Sequence, residues 1–491
     1  MKQVVTIKEM QEMEKKTFVK QNITPFDLMI KVGQAMFKIY NEQYQKNHLI
    51  IIAGTGNNGG DALVFGEQAF LDGKHMEAIM IGDQKNQSDE SLSMTKRYLE
   101  KGISFTIVND FDTFLKQVEK NSNIEMIVDG LLGIGLTRNV TGLYEEVINW
   151  INAQKATILS IDIPSGLHPE TGQIMGASVR ANITYTVEAI KQGMLLEDAM
   201  DVVGKIEVID VDMVKIENNK YYFDTFHTPI KRLHNTHKYD YKNVLTIGGQ
   251  KGVMGAITLA GYSALVSGAG LSTIACNKIN EKYLIDSFPE LMYESIESKT
   301  DLKNLIKKKD AILFGLGMRE ITSFEQMVFE YLTDLEIPIV LDAAGMLLLK
   351  EQKVINNKRV IITPHYGEFA KLMNISVQKL KVNLLEYINL CIKKYHCEII
   401  LKGPSTLYAT KDKIVYLNQG TPALAKAGSG DVLSGIILTY LARNLDIEMG
   451  ILLHMLSARQ ACEDKHMESV LATDIIKHIP NVYKKYDVSG K

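Results

Sequence analysis

The sequence predicts an α/β protein of two domains, each a mostly parallel sheet with helices on both faces. Short apolar runs alternate with amphipathic stretches through both halves of the chain, the rhythm of repeated strand–helix units. A polar stretch from about residue 213 to 235, with Asn218-Asn219-Lys220 and Pro229, interrupts that rhythm once, and it then restarts. A length of 491 residues points to roughly two to four domains rather than one core. The expected division is a first domain over 1–215, a linker over 216–235 and a second domain over 236–491. Motif order differs between the halves, so the domains are unrelated rather than repeated.

Each element follows from local pattern. Thr6-Ile7-Lys8-Glu9 has capping-box form, and Ile7, Met10, Glu14 and Phe18 continue at helical spacing. Thr24-Pro25-Phe26-Asp27 reads as the N-cap of a second helix with proline at its first position. Apolar runs then predict strands over 49–53, 77–81, 124–128, 158–161, 183–187 and 206–209. In the second half they predict strands over 244–247, 272–275, 311–314, 339–341, 360–362 and 399–401.

Composition excludes several function classes. The chain is 46% apolar and 23% charged with a net charge of −3, so nothing basic points to nucleic acid or a membrane surface. Residues 1–6 lack the apolar core of a signal peptide, and no apolar run reaches the ~18 residues of a membrane span. Cys276, Cys391, Cys397 and Cys462 show no zinc spacing and are expected to be reduced thiols in a cytoplasmic protein.

In open α/β sheets, ligands sit beyond the C-terminal ends of strands. Three strand ends of the first half carry chemistry. The first is Gly54-Thr55-Gly56-Asn57-Asn58-Gly59-Gly60-Asp61, a literal G-x-G-x-x-G between a strand and a helix. Backbone N–H groups and the helix dipole make such a turn an anion site, and the simplest reading is an NAD-dependent dehydrogenase. Asn57-Asn58 and Asp61 argue against stopping there, because hydride transfer needs neither paired amides nor that carboxylate. The second strand end is Val128-Asp129-Gly130 with Gly133-Ile134-Gly135-Leu136-Thr137-Arg138, and the third is Asp162-Ile163-Pro164-Ser165-Gly166. Taken singly, each aspartate reads as a cap or turn former. Together, Asp129 and Asp162 are expected to be water-facing carboxylates sharing one crevice. Asn58, Asp129 and Ser165 offer hard oxygen ligands, suited to an alkali or alkaline-earth cation rather than zinc. Asp162 is then left as the acid/base group.

These segments resemble the motif set of NAD(P)H-hydrate epimerases. Leu28-Met29 with Gly33 resembles their N-terminal helix motif, although Ile30, Lys31 and Ala62 depart from the family pattern. The resemblance implies a Rossmann-like three-layer sandwich. It also implies that Asn57, Asn58, Gly59, Gly60, Asp61 and Gly133, Ile134, Gly135, Leu136, Thr137, Arg138, Asn139 bind a damaged nicotinamide cofactor. A potassium ion on Asn58, Asp129 and Ser165 and a substrate contact by Asp162 follow as well. Inverting the hydroxyl-bearing carbon beside the ring nitrogen needs a group that gives and takes a proton, which a carboxylate supplies.

The second half ends its motifs with Ala427-Gly428-Ser429-Gly430-Asp431, followed by an apolar helix. Backbone N–H groups of Gly428, Ser429 and Gly430 form an anion hole at the helix N-terminus, and Asp431 is placed to activate a hydroxyl. That is the arrangement phosphoryl transfer needs. No G-x-x-x-x-G-K-[ST] occurs, which argues against a P-loop enzyme. Lys402-Gly403-Pro404-Ser405-Thr406 follows a strand and suits nucleotide phosphate. His365 and Glu368 also read as a metal pair, but the preceding Pro364 favours a helix cap.

This half resembles the ribokinase-like NAD(P)H-hydrate dehydratases through His237-Lys238, Gly248-Gly249, Gly255-Ala256, Gly315-Leu316-Gly317, Thr363-Pro364-His365, Lys402-Gly403 and Gly428 to Asp431. The resemblance implies a hydrate pocket at Ala256, Gly317, His365 and Asp431, and nucleotide contacts at Lys402, Gly403, Pro404, Ser405, Thr406 and Gly430. The implied reaction phosphorylates the hydrate's hydroxyl with ADP or ATP and Mg²⁺, after which phosphate leaves and NAD(P)H is restored. Ala344, Ala427, Tyr366 and Tyr239 depart from the family pattern, leaving a slower dehydratase or an altered nucleotide preference open. Expected partners are therefore the hydrates and ADP or ATP, with neither nucleic acid nor membrane, in a homo-oligomer. The alternatives are a vitamin or sugar kinase with a regulatory first domain, and a non-catalytic nucleotide-binding scaffold.

Overall fold

A computed structural model describes residues 1–120, 123–228, 234–284, 287–350, 357 and 359–487. The chain divides into two compact units, Lys2–Lys220 and Tyr221–Lys491. Pro229, expected within a linker, lies outside the described residues.

The first unit runs β1 (Lys2–Val5), α1 (Ile7–Gln21), α2 (Pro25–Gln43), β2 (His48–Ala53), α3 (Asn57–Leu71), β3 (His75–Ile81), α4 (Asp89–Glu100) and β4 (Phe105–Val108). It continues with α5 (Phe111–Val118), β5 (Met126–Gly130), α6 (Leu143–Ala153), β6 (Thr157–Ile161), β7 (Ile183–Val187), β8 (Ile190–Lys191) and β9 (Lys205–Ile209). Thr6 and Thr24 each close a capping box, with Glu9 and Asp27, as their sequence pattern predicts. Seven strands form a parallel sheet in the order β4-β3-β2-β5-β6-β7-β9. Separate apolar clusters cover the two faces, one around Met36, Phe65 and Tyr98, the other around Phe114, Val147 and Ile148. Strand order reverses between β2 and β5, so the crevice of this sheet opens at their C-terminal ends.

A short strand, β10 (Lys220–Tyr222), stands at the division. The second unit continues with β11 (Asn243–Ile247), α7 (Gly255–Val266), β12 (Leu271–Asn277), β13 (Met292–Ile296), α8 (Lys299–Ile306), β14 (Ala311–Phe314), α9 (Ser323–Thr333), β15 (Ile339–Leu341) and α10 (Ala343–Leu347). Then come β16 (Val360–Ile362), α11 (Tyr366–Met373), α12 (Val377–Val382), α13 (Leu384–Tyr395), β17 (Cys397–Leu401), β18 (Thr406–Ala409), β19 (Ile414–Leu417), α14 (Ser429–Ala442), α15 (Ile447–Asp464) and α16 (Ala472–Lys485). Its strands lie in the order β13-β12-β11-β14-β15-β16-β17-β18-β19. They are parallel as far as β17, and β18 and β19 then pair antiparallel. The sequence pattern misses that hairpin, because every residue of both strands is buried and no alternation marks them. Helix α14 is apolar all round and packs in the core against α7, where Gly435 lets it approach the Ala260 backbone. Among the described residues no helix is long and apolar enough to cross a membrane.

Candidate functional site

In the first unit, β2 delivers the glycine loop and α3 starts at Asn57. Gly56 is the N-cap, with no side chain closing the helix end and open space where its Cβ would be. The first-turn N–H groups are left for an anion. Gly54 and Gly59 serve a different purpose. A Cβ on Gly59 would collide with the Gly54 carbonyl, and one on Gly54 with the Leu131 carbonyl. Gly54 lets the loops after β2 and β5 close on each other, and Gly59 lets the first turn of α3 pack back on the loop after β2.

Asp129 corrects one expectation. The strand expected over 124–128 is observed as Met126–Gly130, which puts Asp129 inside the sheet opposite Ile52 and Ser160. Its carboxylate is fully buried rather than water-facing. It accepts from Ser160 Oγ at 2.7 Å, Ser165 Oγ at 2.5 Å, Ser165 N at 3.0 Å and Leu131 N at 3.3 Å. Burial pushes its pKa up, and these hydrogen bonds from Ser165, Ser160 and Leu131 oppose the rise. No cationic side chain pairs with it among the described residues.

The structure gathers Asn58, Asp129 and Ser165 around Leu132. Asn58 Nδ2 donates to Leu132 O at 3.0 Å, Leu132 N donates to Ser165 Oγ at 2.8 Å, and Ser165 Oγ meets Asp129. A buried carboxylate without a counter-charge, ringed by amide, hydroxyl and carbonyl oxygens, is a donor set that fits a hard monovalent cation.

Asp162 makes its hydrogen bonds to other residues than this trio. Its backbone adopts the left-handed region at φ 62°. Its Oδ1 takes a close ion pair from Lys191 and accepts from Val187 N at 3.1 Å and Thr186 Oγ1 at 3.4 Å. The Lys191 side chain is 1% exposed and Asp162 13%. Lys191 also donates to Thr186 Oγ1 and Val187 O, each at 3.1 Å. Glu14 of α1 and Asp61 of α3 lie near enough to feel this pair. Burial, then the Asp162 charge, raises both carboxyls, while Lys191 opposes the rise. Sequence reasoning missed Lys191. Its only signal is a lysine ending an otherwise apolar run, Ala189-Ile190-Lys191, beside β1.

Gly133 to Asn139 form the loop beyond β5. Gly135, Thr137, Arg138 and Asn139 are exposed, whereas the Leu136 side chain is packed in the core and can offer a ligand only its backbone.

In the second unit, strand order reverses between β11 and β14. Their following loops are joined by Gly249 N to Leu316 O at 2.9 Å and Gln250 N to Gly317 O at 2.8 Å. A Cβ at Gly317 would stand 3.5 Å from that of Ala256, so these two expected pocket residues are neighbours. His365 caps α11, accepting from Gly367 N at 3.0 Å and Glu368 N at 3.3 Å, while Glu368 returns to His365 N at 2.9 Å. The pair is thus a capping box. Among the described residues no group of three or more His, Cys, Asp or Glu side chains is placed to hold a metal ion.

Helix α14 starts at Ser429 with Gly428 as its N-cap at φ 91°, and no side chain caps it. Lys402, bridged through its backbone to His365, brings its ammonium to this end, and a Cβ at Gly430 would stand 3.4 Å from Lys402 Nζ. Asp431 is pushed up to about 6 by burial and then by the charge of Asp342, against the pull of Lys402. A carboxylate so poised can accept a proton near neutral pH. Gly403 and Pro404 are exposed, while Ser405 and Thr406 are buried at the start of β18. The supporting groups Asp342, Ser434 and His454 were not singled out as site residues from sequence. His454, held near 4 by burial and so neutral, lies 3.3 Å from Ser429 Oγ.

Comparison with known proteins supplies the rest. Residues 244–481 match the family described as NAD(P)H-hydrate dehydratase, and residues 25–193 match the family described as YjeF-related protein N-terminus. A bifunctional NAD(P)H-hydrate repair enzyme of Coxiella burnetii is 30% identical over 94% of this chain and 95% of its own. One of Escherichia coli is 29% identical over 86% of this chain and 82% of its own. A solved ribokinase-like superfamily protein of Enterococcus faecalis, 24% identical, covers 56% of this chain and 99% of its own with a TM-score of 0.50, which supports a ribokinase-like fold.

Proposed function

The chain belongs to the family of bifunctional NAD(P)H-hydrate repair enzymes, and we infer that its two units divide that repair between them. The first unit interconverts the R and S hydrates of NADH and NADPH. The second dehydrates the S hydrate to NAD(P)H at the expense of ADP or ATP, through a phosphorylated intermediate. The observation that carries this reading is the presence of both sites in one chain that aligns with such enzymes over nearly its whole length.

In the epimerase step, the uncapped start of α3, with Asn57 to Asp61 and the loop Gly133 to Asn139, holds the hydrate. Asp162 gives and takes the proton as the hydroxyl leaves one face of the carbon and water adds to the other. Lys191 keeps that carboxylate in place. Asn58, Asp129 and Ser165 would hold a potassium ion, whose charge would offset the buried Asp129 and brace the two loops. In the dehydratase step, Asp431 removes the proton of the hydrate's hydroxyl as its oxygen attacks the terminal phosphorus and AMP leaves ADP, or ADP leaves ATP. Phosphate then departs with the C–O electron pair as the neighbouring ring carbon loses a proton, restoring the double bond. The α14 N-terminus and Lys402 stabilise charge on the moving phosphoryl group, and Mg²⁺ accompanies the nucleotide. Ala256, Gly317 and His365 complete the hydrate pocket. Four free cysteines accord with a reducing compartment, and a cytoplasmic homo-oligomer belongs to the same reading.

The test is the recovery of NADH absorbance when the purified chain meets each hydrate epimer with ADP or ATP and Mg²⁺. Conversion of both epimers is expected. Phosphorylation of a sugar or vitamin with neither epimer converted would overturn the reading.

A further inference from the structure

We propose that Asp342 is a positioning residue of the dehydratase, its buried carboxylate holding the Lys402 ammonium at the N-terminus of α14. The inference rests on reading that helix end as the dehydratase site. Asp342 follows β15 and is 2% exposed. Its Oδ1 accepts from Lys402 Nζ at 3.1 Å and from Ala343 N at 2.7 Å, and its Oδ2 accepts from Ser434 Oγ at 2.6 Å. One carboxylate thereby ties together three elements: the end of β15, the residue after β17, and α14 one turn beyond Asp431. The arrangement is held at a cost, because Ala343 adopts φ 48°, a left-handed conformation unfavourable for a residue with a Cβ.

The charge arrangement explains why such a residue is needed. An ammonium at a helix N-terminus faces the positive end of the dipole and is repelled unless an anion is present. Asp431 in the first turn of α14 offsets that repulsion in part but loses its charge when it takes up a proton, and Asp342 supplies the further counter-charge that Lys402 contacts directly. It keeps Lys402 beside Gly430, where a phosphate would arrive. Asp342 also faces Asp431 as a like charge, which helps keep the base protonatable near neutral pH. The other titratable groups around the site act less on it: His454 of α15 is neutral on Ser429, and His365 is closed against Glu368.

The experiment compares Asp342→Asn with the unsubstituted full chain, because asparagine keeps one acceptor oxygen for Ala343 N and can donate its amide N–H to Ser434 Oγ, but removes the charge. A several-fold rise in nucleotide KM is expected with a smaller change in kcat. The acid limb of the pH–rate profile should move to lower pH, since burial still raises Asp431 but the Asp342 charge no longer adds to it. Epimer exchange should be unchanged. Should Asp342→Asn fail to fold, Ser434→Ala tests the same idea: it loosens Asp342 but keeps its charge, so KM rises and the acid limb stays. Unchanged nucleotide KM in either folded variant, or an unmoved acid limb in Asp342→Asn, overturns the proposal. Asp431→Ala run alongside separates the two readings. If it still dehydrates, the site assignment falls, whereas its inactivity together with an unaffected Asp342→Asn overturns Asp342 alone.

Discussion

At the scale of single residues, the two carboxylates proposed as catalytic differ in what removing them does to the protein. Asp431 is partly buried and its side chain makes no hydrogen bond or ion pair among the described residues, so Asp431→Ala should leave the fold intact and reduce dehydration by at least ~100-fold, the usual loss for a general base. Dehydration by the unsubstituted chain should decline as pH falls through about 6, because Asp431 must be ionised to accept a proton. A rate constant flat between pH 7 and 5, scales on which the carboxyl changes state, would remove it from the mechanism. Asp162 is different. It pairs with a fully buried lysine, and Asp162→Ala would strand that ammonium at a cost of about 3–5 kcal/mol. Asp162→Asn is the cleaner probe, since an amide oxygen can still accept from Lys191, Val187 and Thr186. It should slow epimer exchange while dehydration of the S hydrate continues. Normal exchange in that variant would sink the proton-transfer role of Asp162.

At the scale of elements, the strand-end loops hold the proposed site residues and glycine makes their closeness possible. Gly59→Ala would drive a methyl group into the Gly54 carbonyl. The loop cannot yield without pushing the segment after β5, so the first unit should lose about 1–3 kcal/mol and epimer exchange should fall. A thermal melt and the exchange assay check both, and an unchanged melt with full exchange would show that the loops tolerate separation. Much of this level was legible beforehand. Residues 183–187, 311–314, 339–341 and 360–362 form strands as expected, because buried parallel strands are written as short apolar runs. Both early helices begin at the threonines that cap them. Strands β1, β8 and β13 escaped because they are short or half-exposed, and their pairing depends on distant partners.

At the scale of the whole molecule, the fusion of two activities has a kinetic consequence. An equal mixture of hydrate epimers should be consumed completely by the unsubstituted chain. With Asp162→Asn, about half should disappear quickly and the rest only as fast as the epimers interconvert unaided. The dehydratase reading uses a stereochemical choice that only the first unit can relieve, which is why a lone kinase with a regulatory domain accounts for the chain less well. Following NADH recovery from the mixture gives the answer directly, and identical time courses for both proteins would show that the first unit adds nothing to repair.

The sequence by itself determined the fold class, through local periodicity, and through the resemblance of its strand-end glycine and aspartate motifs it pointed to the family and to candidate ligand loops. It also named Asn58, Asp129, Asp162, Ser165, Lys402 and Asp431. What only the tertiary structure decided is the company these residues keep. Asp129 is sealed in the sheet rather than facing water because β5 reaches Gly130 and is flanked on both sides. Lys191 meets Asp162 across 29 residues, and Asp342 meets Lys402 across 60. Contacts at that separation are set by strand order and helix packing, which no local pattern records. They are also where burial turns ordinary carboxylates into groups with a defined charge and a defined place.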